Sequence, residues 1–534
     1  MNHRFSFAFA SSACIAAALL AGCGGGGGGG GGGGVLPFVL PVSAAPVTLT
    51  GTATYESVPN PSGNLVYAST SVKPIRGASL EVVDAASSAQ LAVATTDDNG
   101  AYSVSVPANA TVIVRVRAQL TRAAPGAAWD VSVRDNTQGN ALYSMQTAAF
   151  SSGTAALTRD LRASTGWDGS RYASPRVAAP FAILDTVYTA MQKVLSVAPA
   201  TNFPSLRVYW SPNNAPSPGN PALGQITTTY FVSKSTGREI YVLGKENVDT
   251  DEFDSPVIAH EWGHYYQSSF SRDDSPGGEH SGGDRVDRRL AFSEGWGNAW
   301  SGIALGRSTY VDSRGPGQVT DSILVDLKAG PSTNPGWYRE VSIQSVLWNL
   351  NQQVGFKPIN DTMTSFQFRS ATPVTSIHLF ASVLDTVAPG SAPALKALLM
   401  GQGITSTDAY GVGETSDDSA AAMPVPDVLP LYSPVTVGVL SPNIACISNV
   451  AGTVNKLGNI SYLGFHAPAS RDYTIQLSGG SGVPNFDLFK GGLIARTSNK
   501  VSLGAGDYVL AVRDDAPVSG ANNLPPRCFS VLVQ

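Results

Sequence analysis

The sequence predicts a multidomain protein in which an N-terminal β-sandwich, residues 47–163, and a C-terminal β-sandwich, residues 433–534, flank a central α+β domain, residues 164–432. Near both ends of the chain, apolar and polar side chains alternate along short segments, as in strands of a sheet with one buried face. In the central segment, apolar residues recur at helical spacing instead. The chain of 534 residues is also longer than one ordinary hydrophobic core accommodates.

The composition argues against binding through a charged surface. Charged residues make up only 14% of the chain, and the formal net charge is -5. Binding to nucleic acid or to anionic lipid headgroups depends on clustered Lys and Arg, and the sequence has no basic patch of that kind. We therefore expect no nucleic-acid partner.

The first 46 residues predict export and attachment to a membrane. Residues 1–22 form a signal peptide, because the apolar stretch Phe5–Leu20 is too short to span a bilayer and leads into small residues suited to cleavage. The ending Leu-Ala-Gly-Cys resembles a bacterial lipobox, which implies lipidation of Cys23. Residues 23–46 are then a lipid anchor and a tether that contains the glycine run Gly24–Gly34. The expected location is the bacterial cell envelope, with a lipid anchor in the outer membrane and the protein facing the periplasm or the surface.

Cysteine usage fits an oxidising compartment. The chain has four cysteines, of which Cys14 leaves with the signal peptide and Cys23 carries the lipid. Cys446 and Cys528 remain as an even pair, and we expect a disulfide between them. Free thiols at an exposed site are the alternative.

The N-terminal strands carry a resemblance to a known accessory domain. Alternating segments such as Tyr102–Val106 and Val112–Val116 read as strands. The segments Pro74–Ala78 and Thr95–Tyr102 together resemble the regulatory, transthyretin-like domain appended to many carboxypeptidases. The resemblance implies a β-sandwich over residues 47–163 that serves as a spacer or docking surface, so we assign it no chemistry.

The C-terminal segment resembles another accessory module. Tyr473–Leu477, Phe486–Phe489 and Asp507–Val512 alternate as strands, with Gly-rich turns between them. Their order is similar to that of the pre-peptidase C-terminal β-sandwich attached to secreted bacterial peptidases. By association, this resemblance favours an exported peptidase.

One helix carries the pattern of a metal site. Ser255 and Pro256 read as an N-cap followed by a first-turn proline, which starts a helix through His-Glu-Trp-Gly-His. His260 and His264 lie one turn apart on the same face, where their imidazoles can bind one ion. Glu261 is then beside the metal without ligating it, where it can take a proton from a bound water.

A catalytic zinc site needs a third protein ligand and an open fourth position. A further His just beyond the helix, the metzincin arrangement, is absent from the sequence after His264. A carboxylate from a second helix is the remaining option, and Glu294 in Phe-Ser-Glu-Gly-Trp-Gly-Asn supplies it. Asn298 lies one turn beyond Glu294, where its side-chain oxygen can accept the spare N–H of a ligating His.

These motifs together resemble the gluzincin peptidases, especially the fungalysin-like branch, whose third ligand also lies in a Glu-Gly-Trp segment. The resemblance implies a zincin-type domain in which His260, His264 and Glu294 bind zinc and Glu261 is the general base. Those relatives have Asp where Asn298 stands, so the hydrogen-bonding oxygen is kept and its charge is lost.

The residue that stabilises the oxyanion is left open by the sequence. Gluzincins use a downstream His or Tyr for this purpose, and here Tyr338 and Arg339 are the nearest candidates. His280, in a Gly-rich stretch, reaches the cleft only if that loop folds over it, and we expect a solvated loop histidine. His378 and His466 are expected to be structural.

Two further features lie upstream of the metal helix. The acidic run Asp249–Asp254 supplies either favourable charge at a helix N-terminus or oxygen ligands for calcium. Glu239–Leu243 reads as a strand, and in this class a strand beside the metal helix pairs with the extended substrate.

The expected function is that of a zinc-dependent endopeptidase, which hydrolyses peptide bonds of extracytoplasmic proteins by a metal-activated water. One alternative is a catalytically weak or inactive cell-surface binding lipoprotein, for which the Asn at position 298 and the lack of a His near Trp348 argue. Another alternative is a metal hydrolase that acts on a substrate other than a peptide.

Overall fold

The computed structural model describes residues 45–516 and 526–534, and these residues form several β-sheets with α-helices between them. The protein is mostly β in its outer thirds and mixed in the middle. The predicted signal peptide, Cys23 and most of the predicted tether lie outside the described residues. Within the part that is described, no helix is both long and apolar enough to cross a membrane.

The N-terminal segment consists of strands. Along β6 every second residue is fully buried, as the alternating sequence predicts. The strands are β1 (Val47–Ser57), β2 (Ser71–Pro74), β3 (Ala78–Asp84), β4 (Gln90–Thr95), β5 (Ala101–Val106), β6 (Thr111–Arg122), β7 (Trp129–Asp135), β8 (Ala141–Leu142), β9 (Ser144–Gln146), β10 (Phe150–Ser151), β11 (Leu157–Thr158) and β12 (Leu161–Ala163).

The central segment contains the helices of the described residues. Its strands are β13 (Leu206–Trp210), β14 (Tyr230–Lys234), β15 (Gly237–Val242), β16 (Gly244–Lys245), β17 (Asp249–Thr250), β18 (Thr309–Asp312) and β19 (Ile323–Asp326). Its helices are α1 (Ala179–Leu195), α2 (Ser255–Phe270), α3 (Arg288–Leu305), α4 (Glu340–Val354), α5 (Phe356–Thr364), α6 (Phe366–Ser370), α7 (Ile377–Val387) and α8 (Ala392–Gly401).

One sheet crosses the predicted boundary between residues 163 and 164. Its strands follow the order β14-β15-β13-β7-β6-β3-β4, so the central strand β13 pairs directly with the N-terminal strand β7. The pairing is parallel, with Leu206 opposite Val131 and Val208 opposite Val133, and all four side chains are buried. Helix α1 packs on β6 and β7. The two segments therefore share one hydrophobic core.

The C-terminal segment has two sheets around its own core. One sheet has the order β20-β22-β27-β24-β25 and the other β21-β28-β23-β26, and residues of both, such as Phe486 and Phe529, pack in one buried cluster. Cys446 and Cys528 lie opposite each other on β21 and β28 and form a disulfide. The strands are β20 (Ser433–Val435), β21 (Ser441–Ile447), β22 (Ile460–Ala467), β23 (Arg471–Ser478), β24 (Pro484–Phe489), β25 (Leu493–Arg496), β26 (Lys500–Leu503), β27 (Gly506–Asp514) and β28 (Arg527–Val533).

Helices α2 and α3 form the centre of the molecule. They pack against each other, and α4 packs on the far side of α3. Their contact is filled by the buried aromatic side chains of Trp262, Tyr266, Trp296 and Trp300, whose neighbouring rings lie 5.3–6.3 Å apart. Both helices are buried on most of their surface, so polar side chains that point between them are held in a fixed, largely dry environment.

Candidate metal centre

The two histidines predicted to bind metal converge on α2. Their Nε2 atoms lie 3.1 Å apart. The helix begins at Ser255, with Pro256 in its first turn and Asp254 at the N-cap position. The prediction that Ser255 is the N-cap is therefore wrong by one residue, which leaves the spacing of His260 and His264 unchanged.

Glu294 of α3 meets both histidines. Its Oε2 atom lies 3.2 Å from Nε2 of His260 and 3.4 Å from Nε2 of His264. Donors held about 2.0–2.1 Å from one ion at tetrahedral angles are about 3.3 Å apart, so this spacing fits zinc. The chemistry of the set, two imidazole nitrogens and one carboxylate, also fits zinc.

A glycine allows α3 to come this close. A Cβ atom on Gly297 would lie 2.8–2.9 Å from three atoms of the His260 ring. On the facing helix, a Cβ atom on Gly263 would lie 3.2 Å from Cα of Gly297. The second glycine of the Glu-Gly-Trp-Gly segment therefore makes room for the imidazole that α3 faces.

Each histidine is also held on the side away from the carboxylate. Oδ1 of Asn298 accepts from Nδ1 of His260 at 2.9 Å, so the structure brings this predicted partner to the site. Nδ1 of His264 lies 3.3 Å from both Oε1 of Gln267 and Oγ of Ser293. Such partners orient imidazole ligands. Sequence analysis missed the pair around His264, although the spacing of Gln267, one turn after His264, could have indicated it.

Glu261 points to the same space from α2. Its Oε2 accepts a hydrogen bond of 2.8 Å from the backbone N–H of Phe231 in β14. Burial raises the pKa of the Glu261 carboxyl, against the opposing effect of the two histidines. A carboxyl with a raised pKa is a more effective proton acceptor near neutral pH than an ordinary one.

His280 is part of this site. Its Nε2 lies 3.3 Å from Oε2 of Glu294, and its Nδ1 lies 2.7 Å from Oε2 of Glu340. The expectation of a solvated loop histidine is therefore wrong, because the loop between α2 and α3 folds back over the histidine pair. His280 is outside the set of ligand atoms that lie within 4.8 Å of one another, and its side chain is 27% exposed.

The structure does not bring the predicted oxyanion residues to the cluster. The hydroxyl of Tyr338 donates to Oδ1 of Asn334 at 2.8 Å, on the side of α4 where Asp418 and Arg285 lie. Arg339 donates to the carbonyl of Gly282 at 3.2 Å and so supports the His280 loop from outside. The reason is local: these two residues precede α4, and it is the first residue of that helix, Glu340, that faces the site.

The charges of the site are strongly coupled. Burial alone would raise the pKa of Glu294, but the facing histidines hold it well below its usual range. Burial disfavours the charged form of His264, yet Glu294 raises its pKa to about 10. In the same way, Glu340 and Glu294 outweigh burial and raise the pKa of His280 to about 9. A carboxylate that raises the pKa of two neighbouring histidines in this way will also attract a divalent cation.

Within the described residues, the remaining two histidines lie elsewhere. His378 is buried and pairs with Glu414 at 2.9 Å, while His466 lies on the surface and pairs with Asp507 at 2.7 Å. Tyr310 of β18 is a neighbour of the site that sequence analysis missed, with its ring 6.0 Å from that of His260. No motif surrounds it that could have indicated this position.

The acidic run before α2 divides into two parts. Asp254 is bound by Asn60 and Ser313 at the start of the helix. Asp249 and Asp251 turn instead towards Asp312 of β18, and one oxygen from each of the three lies within 4.8 Å of the others.

Each residue of this aspartate trio has a buried Oδ1 atom without a hydrogen-bond partner. Asp251 is only 2% exposed. Burial and mutual repulsion raise the pKa of Asp249 to about 7, and burial raises that of Asp312 to about 6. Buried carboxylate oxygens that face one another without a partner are costly, and a hard cation would satisfy them.

The strand predicted to pair with substrate is an internal strand. β15 pairs with β13 on one side and with β14 on the other. β14 is at the edge of the sheet, next to α2. The prediction for residues 239–243 is therefore wrong, since a strand with two partners has no free backbone groups, and the free edge belongs to β14.

Comparisons with known proteins add little. No family model and no curated protein matches the chain. Solved structures that match parts of it include the following three, each with a TM-score of 0.14. The pre-peptidase C-terminal domain of collagenase from Bacillus anthracis is 12% identical in sequence, and the match covers 19% of this chain and 94% of that domain's chain. PliG from Aeromonas hydrophila, a periplasmic lysozyme inhibitor, is 17% identical over 19% of this chain and 99% of its own. A 9R-lipoxygenase from Cyanothece is 11% identical over 31% of this chain and 26% of its own.

Proposed function

We propose that the protein is a zinc-dependent endopeptidase of the gluzincin type, which acts on extracytoplasmic proteins or peptides. The observation that carries the proposal is the convergence of His260, His264 and Glu294 at 3.1–3.4 Å, with Glu261 and His280 beside them. In this proposal residues 164–432 are the zincin-type domain, and the flanking β-rich segments are a transthyretin-like sandwich and a pre-peptidase C-terminal-like sandwich.

The three ligands divide the binding of zinc between two helices. His260 and His264 supply neutral nitrogens from α2, and Glu294 supplies one negative charge from α3. Zinc bound there polarises a scissile carbonyl and lowers the pKa of bound water to about 7. Asn298 keeps the His260 ring oriented by accepting from Nδ1.

Glu261 is the general base of the proposed reaction. Its carboxylate takes a proton from the attacking water and returns the proton to the leaving amine. The N–H of Phe231 holds one carboxylate oxygen in place, so the other is free to face the water. No covalent bond between enzyme and substrate is required.

His280 is the proposed oxyanion donor. It lies next to the ligand carboxylate but outside the ligand set, so its Nε2–H can reach an oxygen of the substrate carbonyl. Glu340 accepts from Nδ1 and fixes the ring. An oxyanion donor of this kind is typically worth ~100-fold or more in turnover.

The substrate backbone has a place to bind along β14. This edge strand runs beside α2, and its residue Phe231 contacts the general base directly. An extended peptide that pairs with the free side of β14 would bring its carbonyl groups past Glu261.

The presence of His280 and Asn298 favours the endopeptidase over an inactive binding lipoprotein. The case for the binding protein depends on a missing oxyanion histidine and on the Asn at position 298. In this proposal His280 takes the first role, and the hydrogen bond from His260 supports the second role for the Asn oxygen.

Replacement of Glu261 by Gln tests the function. We expect the variant to bind zinc like the wild type and to lose at least ~1,000-fold in the hydrolysis of a denatured protein, because only the proton acceptor is removed. Digests with and without a chelator, with cleavage sites read by mass spectrometry, measure the activity. Undiminished turnover in E261Q, or a wild type that hydrolyses esters or glycans but no peptide, would contradict the proposal.

We also propose that the aspartate trio binds calcium. Three orphaned carboxylate oxygens and their mutual repulsion support a hard divalent cation there. In calorimetry, 1 mM calcium should raise the melting temperature of the wild type by several degrees and leave that of D251N unchanged. D254N, which alters the helix cap beside the trio, is the control that should keep the calcium effect. If calcium does not change the melting temperature of the wild type, the aspartate trio is not a calcium site.

Attachment to the bacterial cell envelope through lipid on Cys23 remains part of the proposal. The experiment is incorporation of labelled fatty acid into the wild type and not into C23A. Label in both chains would exclude Cys23 as the site of lipidation.

A further inference from the structure

The loop that carries His280 is held by the C-terminal segment. Residues 277–283 have glycines at positions 277, 278, 282 and 283, and two of them, Gly277 and Gly278, have positive φ values of 63° and 95°. Such a loop has little conformational preference of its own. The position of His280 must therefore be set by contacts that the loop makes with its surroundings.

Two side chains between β21 and β22 supply those contacts. Nδ2 of Asn455 donates to the carbonyl of Gly277 at 2.8 Å and to that of Glu279 at 3.1 Å. Nζ of Lys456 donates to the same Glu279 carbonyl at 2.6 Å and lies 3.3 Å from Oδ2 of Asp284. Three hydrogen bonds thus reach the backbone of the residues on the N-terminal side of His280.

The backbone around Asn455 and Lys456 is joined to the same stretch of chain. The N–H of Asp287 donates to the carbonyl of Asn455 at 2.8 Å, and the N–H of Leu457 donates to the carbonyl of Arg285 at 3.0 Å. These bonds connect the C-terminal segment to the start of α3, the helix that carries Glu294. Residues 455–457 therefore contact both the loop that carries His280 and the start of the helix that carries Glu294.

The two side chains are less exposed than those of an ordinary surface loop, since the side chain of Lys456 is only 14% exposed. Asn455 is only 1% exposed. The preceding residue, Val454, has a φ of 73°, which is unfavourable for a β-branched residue. Such a conformation persists where surrounding contacts hold the backbone, and the backbone hydrogen bonds that join Asn455 and Leu457 to Asp287 and Arg285 are contacts of this kind.

The other side of the loop is held by the central segment. Arg339 donates to the carbonyl of Gly282, and Glu340 accepts from Nδ1 of His280. His280 is thus fixed between α4 on one side and the C-terminal pair on the other, with its Nε2 directed at Glu294.

We propose that Asn455 and Lys456 are positioning residues for His280, so that the C-terminal segment completes the active site rather than serving as an appendage. This inference rests on the proposed peptidase function, in which His280 is the oxyanion donor. Without the two side chains, the glycine-rich loop leaves the position seen here, and His280 no longer reaches the substrate oxygen.

The test compares the N455A/K456A variant of the full chain with a matched control, N485A/K500A. The control removes the same residue types from the same segment at positions away from the His280 loop, where they contact Asp515 and Asp472 instead. We expect N455A/K456A to bind zinc normally and to lose about tenfold in kcat with little change in KM, since a displaced donor weakens only the transition state. The control should retain wild-type kinetics.

A double-mutant cycle separates positioning from general destabilisation. H280A should lose about 100-fold in kcat, and adding N455A/K456A to it should cause no further loss. If N455A/K456A lowers kcat by the same factor in the H280A background as in the wild type, the proposal is overturned. It is also overturned if N455A/K456A folds, binds zinc and keeps the wild-type kcat.

Hydrogen exchange provides a readout that does not need activity. The amides of residues 277–284 should exchange at least tenfold faster in N455A/K456A than in the wild type, while those of α2 keep their protection. Unchanged exchange in the loop contradicts the proposal even if the wild type proves inactive. If the wild-type chain has no peptidase activity but N455A/K456A shows the expected faster exchange, the peptidase function is contradicted. The positioning of the loop by Asn455 and Lys456 then still stands.

Discussion

At the scale of single residues, Gly297 determines how closely the two ligand-bearing helices approach. A methyl group at this position would overlap the His260 ring, and that ring is fixed on its other nitrogen by Asn298. The ring cannot rotate away without breaking this bond. The close approach of α3 to His260 therefore requires the glycine, whereas the helix itself does not, since a glycine lowers helix stability by about 1 kcal/mol relative to alanine.

Replacement of Gly297 by Ala should weaken zinc binding by about 100-fold, because it displaces one ligand and its orienting partner together. Chelator competition gives the dissociation constant of zinc. G401A is the matched control, since a Cβ atom there meets nothing within 4 Å. If G297A binds zinc as tightly as G401A does, the close approach of α3 is not required.

At the scale of secondary-structure elements, α7 is joined by one buried pair to the loop that follows α8. Nε2 of His378 on α7 lies 2.9 Å from Oε2 of Glu414. The same carboxylate accepts from several backbone N–H groups, among them those of Thr405, Ser406, Thr415 and Ser416. Burial would raise the pKa of Glu414, but His378 and these donors lower it to about 2. Burial also lowers the pKa of His378.

Both shifts make the protein less stable in acid. A carboxyl whose pKa is depressed in the folded state stabilises it above the unfolded value of about 4.5, and this contribution is lost as the pH falls towards 2. A histidine kept neutral adds a loss that begins below its ordinary pKa of 6.5. E414Q should lower the free energy of unfolding at pH 7 by about 2 kcal/mol.

Urea unfolding at pH 7, 5 and 3 measures this dependence. The difference between wild type and E414Q should shrink as the pH falls from 5 to 3, since the wild-type carboxylate loses its advantage there. E246Q, which removes a carboxylate that accepts from the N–H of Tyr172 instead, is a control. A difference that stays constant down to pH 3 would contradict the assignment.

The local sequence predicts whether a segment forms a helix or a strand, but it does not predict which other elements will pack beside that segment. The helical spacing of Phe181, Leu184, Val187 and Met191 predicted α1, and these residues form its buried face. Residues 239–243 likewise read as a strand, which the structure contains as β15. Its position inside the sheet depends on β13 and β14, and the sequence pattern of one strand contains no information on which strands flank it.

At the scale of the whole molecule, the N-terminal and central segments form one folding unit. The ten-stranded sheet and the core beneath it contain residues from both sides of the predicted boundary at 163/164. Residues 45–534 also group together as one compact unit. The proposed zinc site therefore depends on strands that lie far from it in sequence.

Deletion of residues 45–163 should abolish cooperative folding of the rest. The deletion removes β7, leaves β13 without one neighbour and exposes the face of α1 that packs on β6 and β7. Thermal unfolding followed by near-ultraviolet circular dichroism should show one transition in residues 45–534 and none in residues 164–534. A sharp transition in the shorter chain would indicate an independent central domain.

The sequence by itself determined the part of the site that lies within one helical turn. His260, Glu261 and His264 occupy one face of α2 because the geometry of a helix is set locally. Glu294 and Asn298 follow the same rule on α3, and the chemistry of zinc indicated that the two helices meet.

Only the tertiary structure decided which residues complete the site. His280 comes from a glycine-rich loop without local preference, Glu340 from the start of α4, and Asn455 and Lys456 from the C-terminal segment. Their convergence depends on packing between elements far apart in the chain. Spacing along a sequence reports contacts within a helix or strand, whereas contacts between elements are set by how the sheets and helices fill one core.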